Sequence, residues 1–574
     1  MKKLYKAIFY SGLFCTTAFS ISSCGDAFDY PEWQIIDEKQ SDNSSSGDVE
    51  LGDVSVEVLE GEMRSAVGLA IDFATHKYQY QRSTNIDVFA GYFTVSKSKF
   101  DFGQPLYHTY YYPNGYYGGP MGESMKLYPQ LYHAYYYGEK HDLHEWKAVA
   151  QILYAYSMQE LVDFFGVIPY NDFRKLKETY PLEYLSTEET YTAILADLNE
   201  AIATLKEKQP SSEALKRIEG EKSGYSKGNW KNWVKFANSM RLRMALNMVK
   251  VQPGLAQTIA ESAVNDEIGV LLEEDFGLPT DNGNTIEHPL YQINVGWNDS
   301  RLGASLENIL KRYNNPLLEK WFSKNGAEIK SSSSGAKMLG AGTDYVGMRQ
   351  GCTVDPSPMD NGYGAFSKFQ DQYMPRNYFK VTEVLFLQAE GALRGWNMGG
   401  TAQSFYEKGI RKVFDENNLS GSYDAYIKQE KAKQVAYKDY YKSEYSVTDL
   451  TRGVQVGVKW DDQDSDEVKL EKIITQKYIA IFPFSAEAWT TFRRTGYPRL
   501  FPVPEENKWT EDDSFDVELQ IRRIPYGESS SNDKVNLPYI EAALGAENTA
   551  GTRVWWDVPT EGRDENNRIV PKNF

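Results

Sequence analysis

The chain has 574 residues, with 80 Asp and Glu against 62 Lys and Arg, a net charge of −18 and 14% aromatic residues. So acidic a chain offers no electrostatic footprint to a phosphate backbone, which excludes a nucleic-acid binder, and 41% hydrophobic residues exclude wholesale disorder. Beyond the N-terminus no apolar run is long enough to span a bilayer, so a large, acidic, tyrosine-rich globular body is expected.

Residues 1–23 are an address rather than fold. Lys2, Lys3 and Lys6 make a positive start, and the apolar stretch 7–21 that follows is too short and too rich in Ser and Thr to cross a membrane, which is the pattern of a secretory signal. It ends Ile21-Ser22-Ser23-Cys24-Gly25, an apolar residue and two small ones before a cysteine. That run is similar to a bacterial lipobox, in which Cys24 becomes the acylated first residue of the mature protein. Losing the three lysines takes the net charge from −18 to −21. Cys15 leaves with the signal and Cys24 is acylated, so Cys352 has no disulfide partner. There is no CxxC pair for a thiolate zinc site. Residues 24–60, with the stretch Ser41-Asp42-Asn43-Ser44-Ser45-Ser46-Gly47-Asp48, read as a flexible tether, and 61–574 as one folded body.

The body is patterned as helices. Residues 143–165 are apolar nearly all round, which marks a buried helix, with Gly166 as its cap and Pro169 blocking continuation. Ser186 and Glu189 form a capping box, after which Tyr191, Ile194, Leu195, Leu198, Ile202 and Leu205 share one stripe. Trp230, Trp233, Val234, Ala237, Met240, Met244 and Met248 do the same. Residues 381–395 predict a helix with small faces at Ala389, Gly391 and Ala392, and the next carries Phe405, Tyr406, Gly409, Ile410 and Val413 on one side. Residues 466–482 and 484–494 read as a further pair. Paired helices with small residues at their contacts follow the logic of degenerate tetratricopeptide-type units. Two long irregular regions are expected between them, 100–122 and 277–375.

Chemistry is sparse. No HExxH, GxSxG or P-loop occurs. His133, His141 and His144 read as a surface cluster, and Asp462, Asp464 and Asp466 as an acidic lead-in to a helix, since Glu467 and Ile473 stand where a calcium loop needs Gly and Glu. No cofactor or metal is expected. Among 80 acidic residues nothing marks a catalytic pair, although a secreted glycan hydrolase stays open as an alternative.

Several segments carry a resemblance. They are the lipobox at Cys24, the run from Tyr78 to Ser83, Asp163-Phe164-Phe165-Gly166-Val167-Ile168-Pro169-Tyr170, the run from Val381 to Glu390, and Gln476-Lys477-Tyr478-Ile479-Ala480. Phe492-Arg493-Arg494-Thr495-Gly496-Tyr497-Pro498, Arg522-Arg523-Ile524-Pro525-Tyr526 and Val554-Trp555-Trp556-Asp557 follow. In these residues and their order the chain resembles the SusD/RagB family of Bacteroidetes outer-membrane lipoproteins, closest to its SusD-like subgroup. The resemblance implies a mostly α fold on four tetratricopeptide-like helical pairs, with long irregular loops and a few short strands. It also implies a surface-exposed, lipid-anchored, non-catalytic protein that captures oligosaccharides for a SusC-like TonB-dependent transporter. Peptide ligands in the same role, or a lid with no ligand of its own, are the alternatives.

Most motif residues read as structural. Arg493 and Arg494 fall in the last turn of a helix, where cations complement the C-terminus, and Trp555 and Trp556 read as core anchors. Sugars present C–H faces and hydroxyls, which suit exposed Tyr and Trp flanked by polar side chains on loops. The ligand-binding candidates are therefore Tyr110, Tyr112, Tyr116 and Tyr117; Trp297, Asp299 and Arg301; and Tyr345, Arg349, Asp360 and Tyr363, with at least two of these loops lining one face.

Overall fold

The computed structural model describes residues 54–70, 74–97, 110, 118–177, 179–220, 225–278, 287–354, 362–504, 514–527 and 531–574. Cys24, Tyr112, Tyr116, Tyr117 and Asp360 lie outside the described residues. The main helices are α1 (Val56–Leu69), α2 (Tyr128–Tyr137), α3 (His144–Phe165), α4 (Thr187–Lys208), α5 (Trp230–Asn247) and α6 (Pro253–Val264). They continue with α7 (Ala304–Arg312), α8 (Val381–Leu393), α9 (Ala402–Glu416), α10 (Asp466–Ala480), α11 (Ser485–Thr495) and α12 (Ser531–Leu544).

The helices stack as tetratricopeptide-like pairs. α3 packs against α2 on one side and α4 on the other, α5 pairs with α6, and α8 pairs with α9. The local causes are those the sequence displays. Ser186 accepts from the Glu189 backbone N–H while the Glu189 carboxylate accepts from that of Ser186, so the capping box opens α4 as expected. Gly166 ends α3 at a φ of 82°, where a Cβ would stand 3.1 Å from Leu544 and 3.2 Å from Val554. At Gly409 an added Cβ would lie 2.8 Å from the Phe386 ring, so only glycine lets α8 and α9 approach this closely.

Three expectations need correction. The folded body starts before residue 61, because α1 begins at Val56 and buries Leu59 and Met63. The α10 and α11 helices are consecutive, but α10 packs on α8 and α9, whereas α11 packs on α5 and the short helix Ile86–Phe89. The turn between them is pinned by Phe482, whose ring stacks on Trp321 at 4.6 Å. Finally, residues 277–375 are not irregular throughout. They contain α7, whose Leu306, Ile309 and Leu310 face the core, and three short strands. A nine-residue helix holds too few turns for its period to stand out against Gly- and Ser-rich neighbours.

The strands pair antiparallel: β1 (Phe93–Val95) with β3 (Ser300–Leu302), β2 (Phe276–Leu278) with β6 (Arg376–Phe379), β4 (Ile329–Lys330) with β5 (Lys337–Leu339), and β7 (Gly562–Arg563) with β8 (Ile569–Val570). One large apolar core runs through the helices, and a small second one gathers around Cys352, Tyr363, Phe366 and Tyr445.

The scattered motif residues meet inside. Arg494 makes a bidentate pair with Glu390, both contacts 2.7 Å and both side chains buried. Arg493 lies over the Trp489 ring at 3.6 Å and the Trp556 ring at 4.9 Å, and donates to the Arg522 carbonyl. Neither arginine serves as an exposed helix-end cation, because the last turn of α11 is itself interior. Lys477 pairs with Glu487 at 2.5 Å, and Arg522 grips Asp557. Trp556 is a core anchor as expected, whereas Trp555 is only partly buried.

Candidate functional site

The β1–β3 ladder sets residues 93–95 beside the segment that carries Trp297, Asp299 and Arg301. Phe93 pairs with Leu302, Thr94 with Arg301 and Val95 with Ser300. Beyond the ladder the Ser96 hydroxyl donates to the Asn298 carbonyl at 2.8 Å, and the Lys97 ammonium pairs with Asp299 at 2.5 Å. Residues 96 and 97 therefore lie beside the segment that carries Trp297. A π-helical turn, Gln292–Gly296, precedes Trp297 and leaves its ring half-buried against the core edge.

A third segment, 364–370, closes on the same corner. The Arg301 guanidinium donates to the Gly364 carbonyl at 2.7 Å and to the Asn298 side-chain oxygen at 3.2 Å. Lys368 donates to that same oxygen at 2.6 Å. Asn298 holds a left-handed φ of 60°, a conformation asparagine tolerates better than most side chains. Burial lowers the Lys368 ammonium from its ordinary range, and Arg301 beside it adds to the effect. Burial likewise brings Arg301 down to about 10, with Asp299 offsetting part.

From Lys368 the surface continues to a second aromatic position. The Lys368 carbonyl accepts from Ser323, and Gln370 donates through its backbone to Trp321, so 368–370 runs beside 321–323. The Lys324 ammonium lies over the half-buried Tyr345 ring at 5.9 Å. The loop carrying Tyr345 hangs on buried Asn325, whose amide donates to the Ala327 and Gly340 carbonyls and accepts from the backbone of Thr343 and Asp344. Next to it Lys311 bridges Glu307 and Asp344 at 2.7 and 3.0 Å. A third half-buried ring, Tyr440, faces this group. Burial raises its hydroxyl above the usual range and Asp344 adds to the rise, while Lys311 opposes it. Lys438 covers the Tyr440 ring at 4.7 Å. Trp297, Tyr345 and Tyr440 thus line one strip interleaved with Asn298, Lys368 and Asp344. Beside it a cleft of about 490 Å³ is lined by Pro316, Glu319, Lys320, Gln370, Asp371 and Leu419. By contrast, the hollow next to Arg82, Glu160 and His288 leaves only about 40 Å³, room for a water molecule or two and not for a sugar ring.

Five predicted site residues turn inward instead. Tyr110 is buried, its ring against Phe89 and Phe515 and its hydroxyl bonded to Gln520 and the Ile521 backbone. Tyr363 is buried in the Cys352 cluster and donates to Asp439 at 3.0 Å. Arg301 is buried behind Asn298, and Asp299 is buried between Lys97 and Gln79. Arg349, half-buried, gives its guanidinium to the Pro502 and Tyr445 carbonyls. In each case the side chain answers an internal polar demand that sequence spacing cannot display. Trp297 and Tyr345 remain at the surface. Tyr440, Asn298 and Lys368 were not foreseen: Tyr440 stands in a second tyrosine-rich run, 437–445, and Asn298 inside the Trp297–Arg301 stretch, but spacing alone does not show which members of such runs reach the surface. His133 bonds Glu62 and His144 pairs with Asp142, while Asp464 pairs with Lys472 and Asp462 accepts from Trp460, so neither group converges on one point.

No helix among the described residues is long and apolar enough to cross a membrane. Residues 39–557 match the family described as SusD-like, the SusD and RagB outer membrane lipoproteins. No curated protein matches the chain. Among solved structures, a chitin-binding SusD homologue from Flavobacterium johnsoniae is 32% identical with a TM-score of 0.75, over 88% of this chain and 99% of its own. A SusD-like protein from Bacteroides thetaiotaomicron is 28% identical with a TM-score of 0.72, over 89% of this chain and 100% of its own. A SusD homologue from Bacteroides vulgatus is 25% identical with a TM-score of 0.74, over 88% and 98%. With its helical pairs, its interior motif network and a family match over most of its length, the chain belongs to the SusD-like family of outer membrane lipoproteins.

Proposed function

We propose that this protein is a non-catalytic cell-surface receptor, held to the outer membrane by lipid on Cys24, that captures oligosaccharides and hands them to a partner TonB-dependent transporter. In this reading residues 1–23 are the signal, the stretch from Cys24 to the start of α1 is the tether, and the rest is one ligand-binding body. The observation that carries it is the pairing of a near-full-length, 32% identical chitin-binding relative with a strip of half-buried rings, Trp297, Tyr345 and Tyr440. Aromatic rings spaced by amide, ammonium and carboxylate groups suit ligands with apolar ring faces and many hydroxyls.

The test is calorimetric titration of the full-length lipoprotein in detergent with chitin-derived and other oligosaccharides, together with a reducing-end assay. Saturable binding without turnover is expected, as is co-purification with a large outer-membrane barrel. Absence of binding across the panel defeats the receptor reading. Turnover abolished by changing a single carboxylate defeats its non-catalytic part.

A further inference from the structure

The strip runs against the charge of the molecule. In a chain of net −18, Lys368 contacts Asn298 next to Trp297, Lys324 lies over Tyr345, Lys438 over Tyr440, and Lys311 pairs with Asp344. Lys311 is neutralised by Glu307 and Asp344. Among the described residues no carboxylate lies within 4 Å of Lys324, Lys368 or Lys438, and the first and last rest on tyrosine rings.

The corner beside Trp297 is the sharpest instance. Lys368 and Arg301 both donate to a single neutral acceptor, the Asn298 side-chain oxygen, at 2.6 and 3.2 Å. The other acceptors of Arg301 are backbone carbonyls of Gly364, Ser300 and Asn294. The neighbouring carboxylate, Asp299, is engaged by Lys97 at 2.5 Å and by the Gln79 amide at 2.7 Å. The groups facing this corner are thus Lys97, Asp299, Arg301 and Lys368, three cations to one anion. Two cations on one amide oxygen leave ammonium N–H donors unsatisfied by any protein anion, next to an indole that can support a sugar ring.

We propose that Lys368, with Arg301 behind it, forms a subsite for the anionic substituent of an acidic sugar stacked at Trp297, so that the receptor prefers glycans bearing a carboxylate or a sulfate ester over their neutral counterparts. This rests on the oligosaccharide-receptor reading. Burial depresses both cations from their ordinary pKa values, and Arg301 adds to the fall at Lys368, so an incoming anion relieves a strain that a hydroxyl does not. Arg301 acts as a positioning residue, fixing Asn298 and the local field, and Lys368 makes the contact.

The experiment uses the full-length lipoprotein in detergent and two matched pairs of ligands. One pair is oligogalacturonate and its methyl ester; the other is a sulfated chondroitin oligosaccharide and its desulfated form, with chitooligosaccharide as a neutral reference. The anionic member of at least one pair is expected to bind about tenfold tighter, with the margin shrinking as salt rises, and the responding pair identifies the anion. Lys368→Gln, with an unchanged melting temperature, is expected to erase that margin while Lys368→Arg retains it. Equal affinity within both pairs overturns the inference and leaves the receptor reading standing. A margin that survives Lys368→Gln overturns the placement of the subsite. Failure to bind any of these glycans, chitooligosaccharide included, overturns both.

Discussion

The indole N–H of Trp556 donates to the carboxylate of Asp163 at 2.8 Å across a sequence separation of 393 residues. Tyr191 donates to the same oxygen at 2.6 Å, and Gln159 to the other at 2.7 Å. Burial nonetheless pushes the Asp163 carboxyl up to about 6, against the pull of those donors and of Arg493. Trp556→Phe removes one donor from a buried charge and leaves a small void. It should lower unfolding free energy by about 2–3 kcal/mol in urea titrations at pH 7.5. The loss should be smaller at pH 5, where the carboxyl is largely protonated and depends less on its donors. Equal losses at both pH values would contradict this account.

The Glu390–Arg494 pair should behave as a unit. Burial drives the Glu390 carboxyl upward, but Arg494 and Arg394 overcome it and hold it at about 2. Because the folded pKa lies below the unfolded one, the pair's stabilisation is present above pH 4.5 and is lost as pH falls toward 2. Glu390→Gln leaves Arg494 buried without its counter-charge and should cost about 3–5 kcal/mol. The double variant Glu390→Gln with Arg494→Met should cost clearly less than the sum of the two single changes, which a double-mutant cycle measures.

Asp87 predicts the opposite sign. It is fully buried, and desolvation raises its carboxyl to about 6, with Ser485 and Arg82 offsetting part. A folded pKa above the unfolded value means that stability falls as pH rises from about 4 to about 6 and stays reduced above it. Asp87→Asn should therefore raise the melting temperature at pH 8, by an amount equivalent to at most about 3 kcal/mol, and the gain should vanish near pH 4. A destabilised variant at pH 8 would show that the charge is better accommodated than burial implies.

On the ligand face, Trp297→Ala and Tyr440→Ala should each weaken oligosaccharide binding at least about tenfold while leaving the melting temperature within a degree or two. Tyr363→Phe should do the reverse. It leaves Asp439, a buried carboxylate already raised to about 6, short of a donor, and should lower stability by roughly 1–3 kcal/mol without altering affinity in glycans that bind at Trp297. Calorimetric titration and thermal melts on the same samples separate the two classes.

Anchoring has its own test. Cys24→Ser should move the protein from the outer-membrane fraction to the soluble fraction, with loss of metabolic labelling by a palmitate analogue. Retention in the membrane at wild-type levels would remove the lipidation reading.

The fold was legible where its periodicity was long. The helices starting at His144, Thr187, Val381 and Asp466 announce themselves by caps and apolar stripes sustained over many residues. The order of Asp163, Glu390, Arg494 and Trp556 along the chain carried the family resemblance, yet nothing local said that these residues touch. The ligand face was legible only in part. Trp297 and Tyr345 stood out as large aromatic residues in loops, but Tyr110 and Tyr363 look identical in sequence and differ only in what surrounds them. Gln520 and Asp439, which draw their hydroxyls inward, lie 410 and 76 residues further on. Tyr440 and Lys368 belong to the strip through pairings between distant segments, which composition and spacing do not encode.

The inward burial of the motif side chains also bears on how this scaffold can be altered. Asp163, Glu390, Arg494 and Asp557 are each held by buried partners in the interior, while Trp297, Lys368, Tyr345 and Tyr440 lie half-buried at its edge. A graft of these surface positions from one relative to another should thus carry its ligand preference with it, like a lens exchanged on an unchanged mount.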